Sequence, residues 1–114
     1  MGEGQQQQQQ VLLVYVTFPD AGVAEAVVRQ AVEQRFAACG NVVSGLRSIY
    51  RWRGAVQTAE EVLVLFKTTA ANWSGLQQCI LSSHPYEVPE IVATPIHQGN
   101  APYLDWVRDS CGSA

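Results

Sequence analysis

Seven consecutive residues, His84-Pro85-Tyr86-Glu87-Val88-Pro89-Glu90, bring an imidazole, a phenol and two carboxylates together. Each proline fixes its own φ and pushes the residue before it, His84 or Val88, toward extended backbone. Convergent polar groups on a stiff backbone are what a ligand site needs, because little chain entropy is then lost on binding. No Ser-His-Asp or Cys-His arrangement is evident elsewhere in the sequence, so binding is indicated ahead of covalent catalysis and an enzyme is the weakest reading. The same block also reads as a plain loop that stops a helix and leads into a strand.

The surrounding chain has room for one domain. Of its 114 residues, 1–10 form a glutamine-rich tail with no apolar periodicity, expected to be disordered. One domain is expected over 11–110 and a flexible C-terminus over 111–114. Charged residues make up 15% of the chain and hydrophobic ones 47%, against roughly 25% charge in an average domain; this favours an oligomer that covers part of the surface. A net charge of −3 without a basic run argues against nucleic acid. Arg47, Arg51 and Arg53 alternate as one exposed strand face. No apolar stretch is long enough to span a membrane, and the N-terminus lacks a signal-peptide pattern. Cys39, Cys79 and Cys111 are odd in number and widely spaced, which fits a reducing compartment; the cytoplasm is the expected location.

Periodicity predicts the elements that would position the block. Val11 to Phe18 is a continuous apolar strand, and Asp20 can cap a helix running to about Phe36 with Val23, Val27, Ala31 and Val32 on one face. Cys39 to Trp52 alternates as a strand, with Val42, Leu46, Tyr50 and Trp52 expected on one face; it turns at Gly54 and returns through Val62 to Phe66. Trp73, Leu76 and Ile80 mark a second helix stopped at His84-Pro85. Glu90 to Ile96 is a last strand, with Pro95 implying an edge or a bulge, and Asn100-Ala101-Pro102 opens a C-terminal helix. The fold class is therefore α+β, a ferredoxin-like βαββαβ sandwich with an extra C-terminal helix.

This sandwich should not stand alone. Val11 to Val16 and Val62 to Phe66 are apolar on both faces, while helices cover only one. A strand from Cys39 to Trp52 would reach about 45 Å at roughly 3.3 Å per residue, in a domain whose radius of gyration should be near 13 Å. The tip of this long β2-β3 hairpin, with Tyr50 and Trp52, must overhang, bend or pair with a neighbouring copy.

With these blocks in this order, the chain resembles the CutA family, the divalent-cation tolerance proteins. The resemblance runs from Val11 to Val107. It rests on Thr17-Phe18-Pro19-Asp20, Ala37-Ala38-Cys39-Gly40-Asn41, Ser48 to Gly54, Lys67-Thr68, the His84 to Glu90 block, Gly99-Asn100 and Tyr103-Leu104-Asp105-Trp106. It implies a homotrimer assembled through the hairpins, a role in metal tolerance with copper or other divalent ions, no established catalysis, and a fold shared with PII-type signalling proteins. The resemblance implies that the cysteine, histidine and glutamate through which some family members bind copper fall on Val16, His84 and Glu90. Valine cannot ligate, which leaves an imidazole–carboxylate pair better suited to copper(II) or zinc.

The expected metal ligands are thus His84 and Glu90, with Lys67, Glu87 and Tyr103 as the ligand-binding neighbours in a cleft near a subunit boundary. His97 is either a solvent-facing strand end or a further ligand. Cys39 and Cys79 should pack as small apolar groups, and Cys111 should be an exposed thiol. Tyr50, Trp52 and Trp106 are expected as interface and core anchors. Arg51 stands where the family usually has an aromatic or acidic residue. Two rivals remain open: a PII-like sensor binding a small anion, although no Gly-rich phosphate loop is present, and a non-catalytic trimeric scaffold.

Overall fold

The structure is a computed structural model that describes residues 3–112. It is an α+β fold with one antiparallel sheet. Strands β1 (Val11–Phe18), β2 (Cys39–Trp52), β3 (Ala55–Thr69) and β4 (Ile91–Pro95) lie in the order β2-β3-β1-β4. Helices are α1 (Glu3–Gln8), α2 (Ala21–Glu33), α3 (Trp73–Ser83, after a single 3-10 turn) and α4 (Ala101–Ser110). Asp20 caps α2 as expected: its Oδ1 accepts a hydrogen bond from the Val23 amide at 2.9 Å. Pro95 ends β4, an edge strand where a missing N–H is tolerated.

Register divides the sheet into two unlike faces. Val14, Val16 and Phe18 pair with Phe66, Val64 and Val62, so all six point to one side. That side is buried under Ala24, Val27 and Ala31 of α2 and Leu76, Cys79 and Ile80 of α3. Each such large side chain contributes roughly 1.5–3 kcal/mol by leaving water, and this layer is the core. Leu13, Tyr15, Leu63, Leu65 and Val43 point the other way. At one end of that second face, Val107 of α4 and Cys111 cluster with Val11 and Ala38, while Val43 and Val92 remain exposed.

The hairpin is long but broken. Between Val43 and Leu46, β2 advances one residue more than β3, a bulge at Gly45, whose φ is +86°. Because side chains alternate with period two, the extra residue inverts the faces beyond it. Val42 therefore points into the helix-covered core, opposite to Leu46, Tyr50 and Trp52, which corrects the expectation that these four share a face. The turn is the two-residue step Arg53-Gly54, both with positive φ, which matches the twist of paired strands. The arm makes the molecule elongated, 49 Å in its longest dimension with a radius of gyration of 15.0 Å.

Both chain ends differ from expectation. Residues 3 to 8 of the tail form α1, too short to be stable alone. The two residues after α1 are tied down: the Ala70 amide donates to Gln10 O (2.9 Å), Gln10 Nε2 to Ile96 O (2.9 Å) and Arg108 Nε to Gln9 O (2.9 Å). At the other end Cys111 is 8% exposed rather than a free surface thiol, because Arg35 clasps the chain. Its Nε donates to Gly112 O (2.7 Å) and its Nη2 to Asp109 O (2.9 Å), while Gly112 N donates to Arg35 O (2.8 Å). Of the expected flexible ends, residues 1, 2, 113 and 114 lie outside the described residues.

Candidate functional site

A cleft of about 680 Å³ opens between the hairpin and the segment after α3, within the range typical of small-molecule sites. Ser48, Ile49, Tyr50 and Trp52 form the hairpin wall, Thr17 and Glu61 the floor, and Pro85, Tyr86, Glu87, Val88 and Glu90 the opposite wall. The chain must leave α3 abruptly to make that wall. Pro85 disfavours helix at His84, whose amide closes the last turn on Ile80 O at 2.9 Å while its own backbone is extended.

His84 anchors this exit. Its Nδ1 accepts from the Tyr86 amide at 3.1 Å, so in the neutral ring Nε2 is the donor, and it donates to Thr17 O at 2.7 Å. The ring stacks on Phe18 (centroids 4.6 Å apart, 20° between planes) and lies 4.8 Å from the Tyr86 ring. Both nitrogens have protein partners, so in this arrangement the imidazole has no free lone pair for a cation.

Tyr86 reaches across the cleft and donates its hydroxyl to Glu61 Oε2 at 2.7 Å. Burial, then the bond to Glu61, pushes the phenol well above its ordinary range, because a phenolate there would face a carboxylate. Glu61 is 9% exposed. A buried carboxylate normally requires a cationic partner; among the described residues Glu61 has none, and Tyr86 is its one side-chain hydrogen-bond donor. At the rim, Glu87 Oε2 takes a hydrogen bond from Arg53 Nη2 at 3.1 Å, and the Arg53 guanidinium lies 5.4 Å from the Trp52 ring centroid.

The expected site is divided by the structure. Glu87 and Glu90 line the cleft; His84 supports it from behind; Lys67 and Tyr103 do neither. Lys67 donates to Asn41 Oδ1 and pairs in register with Cys39, whose Sγ lies 3.7 Å from Tyr103 Oη. Lys67 is six residues along β3 from Glu61, about 20 Å at roughly 3.3 Å per residue, so it stands toward the opposite end of the strand from the cleft. His97 lies exposed past β4. Trp106 is exposed and packs on Tyr103 (5.6 Å) instead of anchoring the core, and Tyr50 and Trp52 are also exposed. Val16, which stands where the resemblance placed a copper ligand, is fully buried on the helix-covered face. Among the described residues no three His, Cys, Asp or Glu side chains are placed to hold a metal ion, and the donor set of this chain does not fit a resident metal.

Four lining residues lie beyond what the sequence indicates: Thr17, Ser48, Ile49 and Glu61. Glu61 does leave a signal, a carboxylate directly preceding the apolar run Val62 to Phe66.

Comparison with known proteins decides the family. Residues 12–110 match the family profile of the CutA1 divalent ion tolerance protein. The chain belongs to the CutA1 family. It is 48% identical over 100 residues to the divalent-cation tolerance protein CutA of Thermus thermophilus, spanning 88% of this chain and 97% of that one. Protein CutA of Homo sapiens is 44% identical over 98 residues; the match spans 86% of this chain and 55% of the human protein. Among solved structures, the Thermus thermophilus protein superposes with a TM-score of 0.87 at 47% identity, covering 90% of this chain and 99% of that one. CutA from Xylella fastidiosa gives 0.88 at 34% identity, with the same coverage. CutA1 proteins are a divalent-cation tolerance family, not a known enzyme family.

Proposed function

We propose that this chain is a non-catalytic, cytoplasmic divalent-cation tolerance protein, a ferredoxin-like protomer that works as a homotrimer joined through its hairpins. A divalent copper or zinc ion is taken as cargo at the mouth of the cleft, near the subunit boundary. The observation that carries this reading is a coincidence of place. Ile49, Tyr50 and Trp52 line the acidic cleft and are also exposed large apolar side chains of the hairpin arm, where Ile49 is 70% and Val56 64% exposed. A neighbour that covers this surface borders the cleft and can complete an ion's shell. Oxygen donors from Glu87 and Glu90 meet the ion, while His84 holds the wall behind them.

Native mass spectrometry combined with titration calorimetry tests this. The expected mass is three times that of the chain, and Ile49→Glu shifts it toward monomer. Zinc or copper binding weakens several-fold in Glu90→Gln. A wild-type monomer, or equal affinities in the two proteins, overturns the reading.

A second reading, a small-ligand sensor, is favoured by the cleft's size: 680 Å³ is far more than one ion occupies. A fluorescence-based thermal screen of small organic ions and nucleotides separates the two, since a sensor is stabilised by an organic ligand with metal chelated.

A further inference from the structure

The small-ligand reading can be carried to a chemical class. We propose that the cleft receives a small organic cation, an amine bearing an aromatic or apolar portion, with its ammonium against Glu61.

Three independent features point there. First, no Lys, Arg or His is among the residues that line the cleft, while Glu61, Glu87 and Glu90 are. An anion entering would meet three carboxylates, with the one cation at the rim, Arg53, already engaged by Glu87, which turns the anionic ligand of the sensor reading into its opposite. Second, Glu61 is buried and has no cationic partner among the described residues. Its Oε2 is occupied by Tyr86 Oη, and among the described residues Oε1 has no protein donor. Since no fully enclosed side-chain polar atom of the described residues is left without a partner, Oε1 is not fully enclosed, and Glu61 is a lining residue of the cleft. Its place is thus defined by Tyr86 while its charge is uncompensated. Third, the walls around that carboxylate are aromatic and apolar: Tyr50, Trp52 and Tyr86 with Ile49, Pro85 and Val88. Aromatic faces attract ammonium groups through the ring quadrupole, and Arg53 beside Trp52 shows a cation already using one of them at the rim. A bare divalent ion would use the carboxylates but none of these rings, and it prefers several oxygen donors that this cleft does not bring together.

Glu87 differs from Glu61 because Arg53 already engages it. Glu61 is therefore the residue that selects charge, and Trp52 and Tyr50 are the residues that select shape.

The experiment is calorimetry on the full assembled chain, without added metal, using three probes of one skeleton: phenethylammonium, 2-phenylethanol and phenylacetate. Phenethylammonium is expected to bind at least tenfold tighter than either of the others. Glu61→Gln keeps an acceptor for Tyr86 but removes the charge, and should weaken phenethylammonium about 10- to 100-fold, the effect of losing a charge-assisted bond. Trp52→Phe, which preserves a ring, should retain most of the binding, and Trp52→Ala should lose several-fold. Sedimentation of each variant checks that assembly persists. Tighter binding of phenylacetate or 2-phenylethanol overturns the inference and leaves the small-ligand reading standing. Binding of none of the three overturns it as well, and the thermal screen then decides the small-ligand reading separately. An altered oligomeric mass in Glu61→Gln with no change in binding shows that a neighbouring copy supplies the cation, which also overturns it.

Discussion

Nε2 of His84 donates to the carbonyl oxygen of Thr17 at 2.7 Å, joining the end of α3 to the end of β1. Sixty-seven positions separate these residues in sequence, so one ring fixes where the cleft's outer wall meets its floor. His84→Ala removes this bond, the one from the Tyr86 amide and the stack on Phe18. Two net hydrogen bonds and one aromatic contact amount to about 2–4 kcal/mol. Urea unfolding should show that loss; a change below about 0.5 kcal/mol, the size of an ordinary surface substitution, would count against the anchoring role.

Alkaline pH should destabilise the fold through two phenols. Tyr103 is pushed up to about 12 by burial and by its contact with Cys39, and Tyr86 is pushed higher by burial and its bond to Glu61. An unfolded tyrosine titrates near 10. Above that value the unfolded chain has released protons that the folded one still holds, so stability falls as pH rises. Tyr103 is 40% exposed and contributes less, because solvent screens it. Urea midpoints measured from pH 9 to 12 should decline, and Tyr86→Phe should flatten the slope more than Tyr103→Phe. Parallel slopes in all three proteins would show that neither phenol is responsible.

Gly75 sits inside α3, where alanine is ordinarily favoured by about 1 kcal/mol. Here a Cβ would lie 2.5 Å from Phe36 Cδ1 and 2.6 Å from Cε1. Phe36 packs against the core, so its ring cannot swing aside freely, and overpacking costs about 1–3 kcal/mol. The clash outweighs the propensity. Gly75→Ala should lower the unfolding free energy, and a stabilised variant would mean that Phe36 relocates without penalty.

Arg35 has φ of +65° and its side chain holds two carbonyls near the C-terminus. Arg35→Ala deprives Asp109 O and Gly112 O of their donors and should release the chain beyond α4. The readout is thiol labelling at Cys111, buried in the wild type and expected to react at least tenfold faster in the variant. Cys79, whose thiol is pushed up by burial in the main core, serves as the internal control and should not change. Unaltered Cys111 labelling would place the clasp elsewhere.

Much of this architecture is legible in the residues because it depends on short-range rules. The continuous apolar strand at Val11, the Asp20 cap and the helix stop at His84-Pro85 each follow from local sterics or periodicity. The position of Val42 does not, since nothing nearby announces that Gly45 will adopt a positive φ and invert every face beyond it. The candidate site divides the same way. Glu87 and Glu90 border the cleft together because they sit in one rigid block, whereas Glu61 and Thr17 join them only through strand register. Lys67 and Tyr103 stand apart from this cleft, because sequence shows that both are polar and near strand or helix ends, but not at which end of the sheet they stand.

The bulge at Gly45 gives the hairpin two jurisdictions. Below it, β2 answers to the helices that cover the core, and a substitution there is judged by how well the domain folds. Above it, the inverted strand carries Tyr50 and Trp52 to the cleft wall, and a substitution there alters that wall instead. One glycine with a positive φ thus separates an inner arm packed on the helices from an outer arm whose side chains line the cleft.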